Sequence, residues 1–211
     1  IEQHPDRTAD FVEAFAGPFP LEIICSMMGI PESDRRQIFE WTNMILGVGD
    51  PELTGTYEKL IEAGLGIYAY AQALGEDRRA NPVDDLTSAL MAAEIDGDRL
   101  SAQEFGSFFL LLVVAGNETT RNAMTGGVLA LIENPDEWRK LKANPALVDC
   151  AVEEIVRWTT PVIQFCRTPI RDTEVRGTKI RAGENLCLFY PSANRDEEVF
   201  DEPFAFRVDR T

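Results

Sequence analysis

Val113-Val114-Ala115-Gly116-Asn117-Glu118-Thr119-Thr120-Arg121-Asn122 stands at the middle of a stretch that begins at Ser101-Ala102-Gln103-Glu104 and meets no proline until Pro135. A serine followed three residues later by a glutamate is a capping box, in which each side chain satisfies a free backbone amide of the other residue, so a helix starts there. The spacing predicts one helix over about 101–132, roughly 48 Å long. That is enough to cross a whole domain, and few globular helices reach it.

The middle of this helix conflicts with its surroundings. A glycine, a carboxylate and two threonines interrupt an apolar run, and glycine there costs about 1 kcal/mol relative to alanine. Conflicts of this kind collect at functional sites. Thr119 can bond back to the carbonyl of Ala115 and so loosen the ladder. Beside Gly116, a loosened ladder would leave a groove for a flat ligand or a water. Glu118 would then supply a proton, and Thr119 a hydroxyl to hold a water or a bound oxygen. The same residues equally suit a surface Glu–Arg pair with two threonines packed on a neighbour.

Upstream, helix follows helix. Asp10 to Ala16 is amphipathic and ends at Gly17-Pro18; Leu21 to Met28 stops at Gly29. Ser33 is placed to cap a segment carrying Ile38, Phe39, Trp41, Thr42 and Ile45, which Gly47, Gly49 and Pro51 break. A long pattern runs from Tyr57 to about Arg79, then a short one from Asp84 to Glu94 before the turn Asp96-Gly97-Asp98. Downstream, Pro135 and Pro145 open two helices, the second reaching Thr159. After Pro161 the texture changes. Asp172–Arg176 and Thr178–Arg181 flank Gly177 as a hairpin, and Asn185 to Tyr190 reads as a further strand. The expected fold is mainly α with a small β portion late in the chain.

Composition removes several functions. Hydrophobic residues make up 45% of 211 residues, which supports a packed core, and the net charge of −16 repels phosphate backbones and anionic headgroups. No nucleic-acid or membrane role is expected. One histidine argues against a His-based triad or a multi-His metal site. Cys25, Cys150, Cys166 and Cys187 form no C-x-x-C pair, and reduced thiols in a cytoplasmic protein are the simpler reading. The longest apolar run, Phe108 to Ala115, is far shorter than a membrane span needs. The chain begins at Ile1 and stops at Thr211 after an aromatic stretch, so both ends read as cut.

Glu154 and Arg157 lie three apart on one helix face and can pair. The spacing recurs at Glu32/Arg35, Glu76/Arg79 and Glu118/Arg121, but Ile155, Val156 and Trp158 make the 154/157 helix apolar. A pair buried there needs further partners, for which Arg207 and Arg210 are candidates. Arg167, in Val162-Ile163-Gln164-Phe165-Cys166-Arg167-Thr168, reads on spacing alone as a surface residue; its functional reading is a clamp for a carboxylate.

Taken as an ordered set, these motifs resemble the cytochrome P-450 family of haem-thiolate monooxygenases over essentially the whole chain. Ala115-Gly116-Asn117-Glu118-Thr119-Thr120 is similar to the family's oxygen-activation signature, and Glu154-Ile155-Val156-Arg157 to its E-x-x-R helix. Arg167 to Glu184, Ser192-Ala193-Asn194-Arg195-Asp196 and the Phe200 to Phe206 run resemble the segments that follow. With Asp10-Phe11-Val12-Glu13 and Asp50-Pro51-Glu52, the look is that of soluble bacterial members oxidising steroid side chains or branched lipids.

The resemblance implies a partial cytochrome P-450 domain over 1–211, incomplete at both ends, and assigns roles. Glu118 and Thr119 would deliver protons to the dioxygen being reduced. Ala115 and Gly116 would pass over the haem, and Arg167 would bind a propionate. Val114, Val162 and Ile163 would line the substrate pocket, while Glu154 and Arg157 would be structural. Haem b, a hydrophobic substrate, dioxygen, a ferredoxin and its reductase are implied for the intact, cytoplasmic protein.

One departure stands out. The family's iron ligand is a cysteine in a loop of the form F-x-x-G-x-x-x-C-x-G, and none of the four cysteines has that context. The iron ligand is therefore expected outside this chain, as is the early helix that gives haem a second basic contact. The fragment alone should form no thiolate-ligated haem. Two rivals remain: a non-catalytic all-helical small-ligand-binding or regulatory domain, and a class I terpene cyclase. The latter needs an aspartate-rich metal motif that Asp84-Asp85-Leu86-Thr87-Ser88 does not complete.

Overall fold

The computed structural model describes residues 8–47 and 56–210. The expected break at Gly49 and Pro51, and the motif Asp50-Pro51-Glu52, lie outside them, as do Ile1 and Thr211. The chain divides after Arg121, within its longest helix, into two compact units.

The first unit is helical. The carboxylate of Asp10 accepts from the amides of Val12 and Glu13 (2.8 and 2.9 Å). The stretch Val12–Ala16 that follows is π-helical, closed by Gly17 N–H donating to Val12 O at 2.8 Å. That element ends at Gly17 as expected, and α1 (Pro18–Met27) starts at once, because proline at a first helical position gives up only an amide that has no partner anyway. Gly29 at φ +69° reverses the chain before α2 (Glu32–Leu46). That helix starts behind Pro31 rather than at a Ser33 cap; the Ser33 hydroxyl is turned to Asp34.

Thr56 caps α3 (Tyr57–Ala80) by accepting from Lys59 N–H, and Asp85 caps α4 (Leu86–Ala92) by accepting from Ser88 N–H. Asp85 also takes Arg78 Nε at 2.6 Å, so the acid weighed as part of a metal motif holds a helix start. Among the described residues no cluster of three or more His, Cys, Asp or Glu could hold a metal ion. β1 (Glu94–Ile95) and β2 (Asp98–Arg99) pair across Asp96 and Gly97, both at positive φ. Two-residue turns of that kind suit the strand twist.

α5 (Ala102–Glu133) matches the expected span. Ser101 and Glu104 form the predicted reciprocal cap, with Ser101 N–H to Glu104 Oε2 at 2.9 Å and Glu104 N–H to Ser101 Oγ at 3.2 Å. Within the first unit α5 buries Phe105, Phe109 and Val113, four residues apart, against Cys25, Met28, Ile38, Ile67 and Leu74.

The second unit holds the rest of α5 with α6 (Pro135–Ala143), a 3-10 turn (Pro145–Leu147) and α7 (Val148–Thr159). Gly127 lets α5 approach α7 closely: a Cβ there would lie 2.7 Å from Ile155 Cγ2. Ala130, Leu131, Ala151, Phe206 and Val208 form its core, with Trp158 packed edge-on to Phe206.

β3 (Gln164–Arg167) pairs antiparallel with β6 (Leu186–Phe189), and β4 (Thr173–Val175) with β5 (Thr178–Ile180). The hairpin at Gly177 is thus as expected, its turn residues Arg176 and Gly177 both at positive φ. The strand expected at 185–190 joins not that hairpin but β3, a strand absent from the sequence reading. Its four residues are all exposed, so no alternation of apolar and polar residues marks it. A short α8 (Tyr190–Ala193) follows. No helix of the described residues is long and apolar enough to cross a membrane.

Candidate functional site

The predicted back-bond of Thr119 is present: its hydroxyl donates to Ala115 O at 2.7 Å. The predicted loosening is not. α5 is α-helical throughout, so the carbonyl of Ala115 takes the hydroxyl without breaking the ladder, as a carbonyl with two lone pairs can. Nor does Gly116 open a groove. A Cβ there would meet Ile24 Cδ1 at 2.7 Å, so its missing side chain admits α1 to close packing.

The open side of the helix is a different one. Phe108, Leu111, Ala115 and Thr119 recur at helical spacing on one face, and the first three are exposed, Leu111 by 61%. Phe105, Phe109, Val113 and Gly116 occupy the packed side. Glu118 and Val114 are half-buried at the margins. An apolar strip with a small residue and an exposed hydroxyl fits a flat, apolar group laid along it. Phe108 and Leu111 were not singled out from the sequence, although their spacing from Ala115 carries the signal.

Behind this face, Asn117 is fully buried, and neither its Oδ1 nor its Nδ2 has a hydrogen-bond partner among the described residues. Arg121, one turn on, donates from Nη2 to Asn43 Oδ1 at 3.1 Å.

In the second unit, Glu154 and Arg157 are buried, as their apolar helix implied. Arg157 grips both carboxylate oxygens, Nε to Oε2 at 2.6 Å and Nη2 to Oε1 at 2.8 Å. It also donates to the carbonyls of Asn194, Pro203 and Ala205. Glu154 accepts from Arg207 N–H at 2.8 Å and Arg210 Nε at 2.9 Å, so both anticipated partners arrive, one through its backbone. Burial alone would push the Glu154 carboxyl up; the Arg157 fork, the Arg207 amide and the Arg210 charge outweigh it and hold it below the ordinary range.

Arg195 extends the network by donating to Arg157 O and Trp158 O while lying over the Trp158 ring at 4.7 Å. No spacing rule pointed to it. A cleft of about 270 Å³ runs beside the pair, lined by Val156, Asn194 and Phe200 among others.

Arg167 lies at the end of β3, exposed. Its guanidinium has Cys166 O at 3.0 Å and the Phe165 ring at 5.7 Å as its partners among the described residues. Just before the strand, Ile163 is exposed and Val162 is half-buried. Most of its donors have no partner among the described residues, and such a guanidinium fits an anionic group such as a carboxylate.

The cysteines fit an iron ligand less well. Cys25 is fully buried and its thiol is pushed up to about 11 by desolvation, so it stays neutral. Cys150 sits within α7, and Cys166 and Cys187 face each other across β3 and β6, on the sheet face opposite Arg167. All four are free.

Comparison with known proteins follows the same lines. The sequence pattern of cytochrome P450 matches residues 27–210. The chain is 54% identical over 211 residues, all of its length and 49% of the relative's, to a methyl-branched lipid omega-hydroxylase of Mycobacterium tuberculosis. It is 42% identical over 201 residues, 95% of its length and 42% of the relative's, to a steroid C26-monooxygenase of Rhodococcus jostii. A Mycobacterium marinum cytochrome P450 solved with pseudoionone superimposes with a TM-score of 0.88 at 40% identity, over 96% of this chain and half of the other. The chain thus spans about half the length of these relatives. The open face of α5, the buried Glu154–Arg157 cluster and the match over 27–210 lead to one assignment: the chain belongs to the cytochrome P450 family.

Proposed function

We propose that the protein carrying this chain is a haem-dependent monooxygenase that hydroxylates a hydrophobic substrate such as a branched lipid or a steroid side chain. The observation that carries the reading is the open face of α5, where Ala115 and Thr119 lie on an apolar strip with Glu118 at its margin. Identity to a branched-lipid hydroxylase and to steroid monooxygenases supports the substrate class. It also favours an oxygenase over a non-catalytic helical binding domain.

When bound, haem supplies the reductive activation of dioxygen. The residues here have defined tasks beside it. Ala115, on the open face of α5, would lie against the haem, Gly116 would support the same turn from its packed side against Ile24, and Arg167 would offer its guanidinium to a propionate. The Thr119 hydroxyl, its proton given to Ala115 O, keeps its oxygen lone pairs turned outward to accept a hydrogen bond. It can thereby orient a water, and Glu118 can pass protons to that water. Val114 on α5, and Val162 and Ile163 before β3, would contribute apolar surface to a substrate pocket in the full-length protein. Glu154 and Arg157 hold the 194–210 segment against α7. The electrons come from a ferredoxin and its reductase, in a cytoplasm whose reducing conditions suit four free thiols.

In this reading none of the four cysteines serves as the iron ligand, so the chain of 211 residues by itself should form no thiolate-ligated haem. Expressing it alone with haem and recording the carbon monoxide difference spectrum tests this; a band typical of thiolate haem would overturn it. In a full-length protein carrying this chain, Glu118→Gln and Thr119→Ala are expected to uncouple electron consumption from product formation. Unchanged coupling in both variants would reject the proposed roles.

A further inference from the structure

Cys166 on β3 and Cys187 on β6 are direct partners in the strand register. Tyr190 N–H donates to Ile163 O at 3.0 Å, which makes Gln164–Phe189 a non-hydrogen-bonded pair and, two residues along, Cys166–Cys187 another. At such pairs the side chains project to the same face and the Cα atoms stand about 4.5 Å apart. A disulfide needs about 4.4–6.8 Å. Both cysteines are exposed, so an oxidant can reach them. Cys187 Sγ donates to Gln164 Oε1 at 3.1 Å, which turns it along the sheet face rather than away from it. Partial desolvation and then the neighbouring Cys166 thiol raise the pKa of Cys187, so the two sulfurs sense each other.

We propose that Cys166 and Cys187 form a reversible intramolecular disulfide on exposure to peroxide, independently of the function proposed above. One thiolate attacks an oxygen of hydrogen peroxide and becomes a sulfenic acid, releasing one water once a proton is taken up. The second thiol then displaces the sulfenic hydroxyl, which leaves as the second water. Two thiols and one peroxide become one disulfide and two waters, with two electrons passing from sulfur to oxygen. The bond ties together the ends of the segment that carries the β4–β5 hairpin, next to Arg167.

The four cysteines fall on different tryptic peptides, which makes the test direct. The purified protein is reduced, treated with hydrogen peroxide, blocked with an alkylating agent and digested without reductant. Peptide 158–167 joined to peptide 182–195, lighter by two hydrogen atoms than the sum of the two, is expected, and dithiothreitol should separate them. C166S and C187S should each abolish the joined species; C25S and C150S should leave it. The oxidised protein should also melt at a higher temperature than the reduced one, and the difference should vanish in C166S. Two separate peptides after peroxide, carrying alkylated or sulfinic cysteine, would overturn the proposal. So would a link found only between two copies of the chain.

Discussion

The Arg157 guanidinium and the Glu154 carboxylate meet through two parallel hydrogen bonds, at 2.6 and 2.8 Å, and both groups are almost wholly withdrawn from solvent. Every remaining hydrogen-bonding site on the pair is directed at the 194–210 segment. The pair therefore fastens a stretch with little secondary structure of its own to the side of α7. Three carbonyls and one backbone amide of that stretch end on these two side chains.

Removing one member leaves the other buried and charged. Arg157→Ala and Glu154→Ala are each expected to destabilise the protein by about 3–5 kcal/mol. Chemical denaturation would measure it. A loss of less than about 1 kcal/mol, the range of an exposed pair, would show that the cluster is wetter than its burial implies.

Acid should weaken the same cluster. The Glu154 carboxyl is held below its ordinary value of 4.5, so the folded state binds its proton less readily than the unfolded chain does. Its stabilising contribution is complete above about pH 4.5 and is lost as the pH falls through the lower, folded value. The stability difference between the wild type and Glu154→Gln should therefore shrink on acidification. Urea unfolding over a pH series reads this directly, and a difference that widened instead would contradict the sign.

Two glycines should respond differently to alanine. At Gly66 a Cβ would sit 2.6 Å from the Trp41 ring, which is flat and rigid, whereas at Gly116 it meets the flexible end of Ile24. Gly66→Ala is expected to cost about 1–3 kcal/mol through overpacking. Gly116→Ala should be near neutral, because Ile24 can turn aside while the helix gains about 1 kcal/mol. Thermal melts of the two variants would rank them, and the reverse order would refute the packing account.

Thr119 should separate stability from activity. Its hydroxyl bonds back to Ala115, an arrangement that slightly disfavours a helix, so Thr119→Ala should leave stability unchanged or raise it by a few tenths of a kcal/mol. Product formed per electron consumed should nevertheless fall in a full-length protein. If stability and coupling fell together, the residue would be structural.

Local chemistry was legible where one short segment decides the outcome. The Ser101–Glu104 cap, the span of α5, the turn at Gly177 and the back-bond of Thr119 each depend on residues within a few positions of one another. The partner set of Glu154 was half legible: an apolar helix announced burial, and charge balance pointed to Arg207 and Arg210. Arg195, β3 and the amide of Asn117, without a partner among the described residues, were not, since exposed strand residues show no periodicity and a polar residue among other polar ones carries no direction.

The sequence by itself determined the helix order, the caps and the turns, because those interactions close within a turn or two of backbone. It also carried the ordered motifs by which the family could be recognised. Only the tertiary structure decided which side of α5 is open. Helical periodicity places Phe108, Leu111, Ala115 and Thr119 together, but whether a face is covered depends on the residue that arrives from elsewhere, and Ile24 of α1 closes the Gly116 side. The strand register that sets Cys166 opposite Cys187 has the same origin: it is fixed by hydrogen bonds between segments some twenty residues apart, which no local rule encodes.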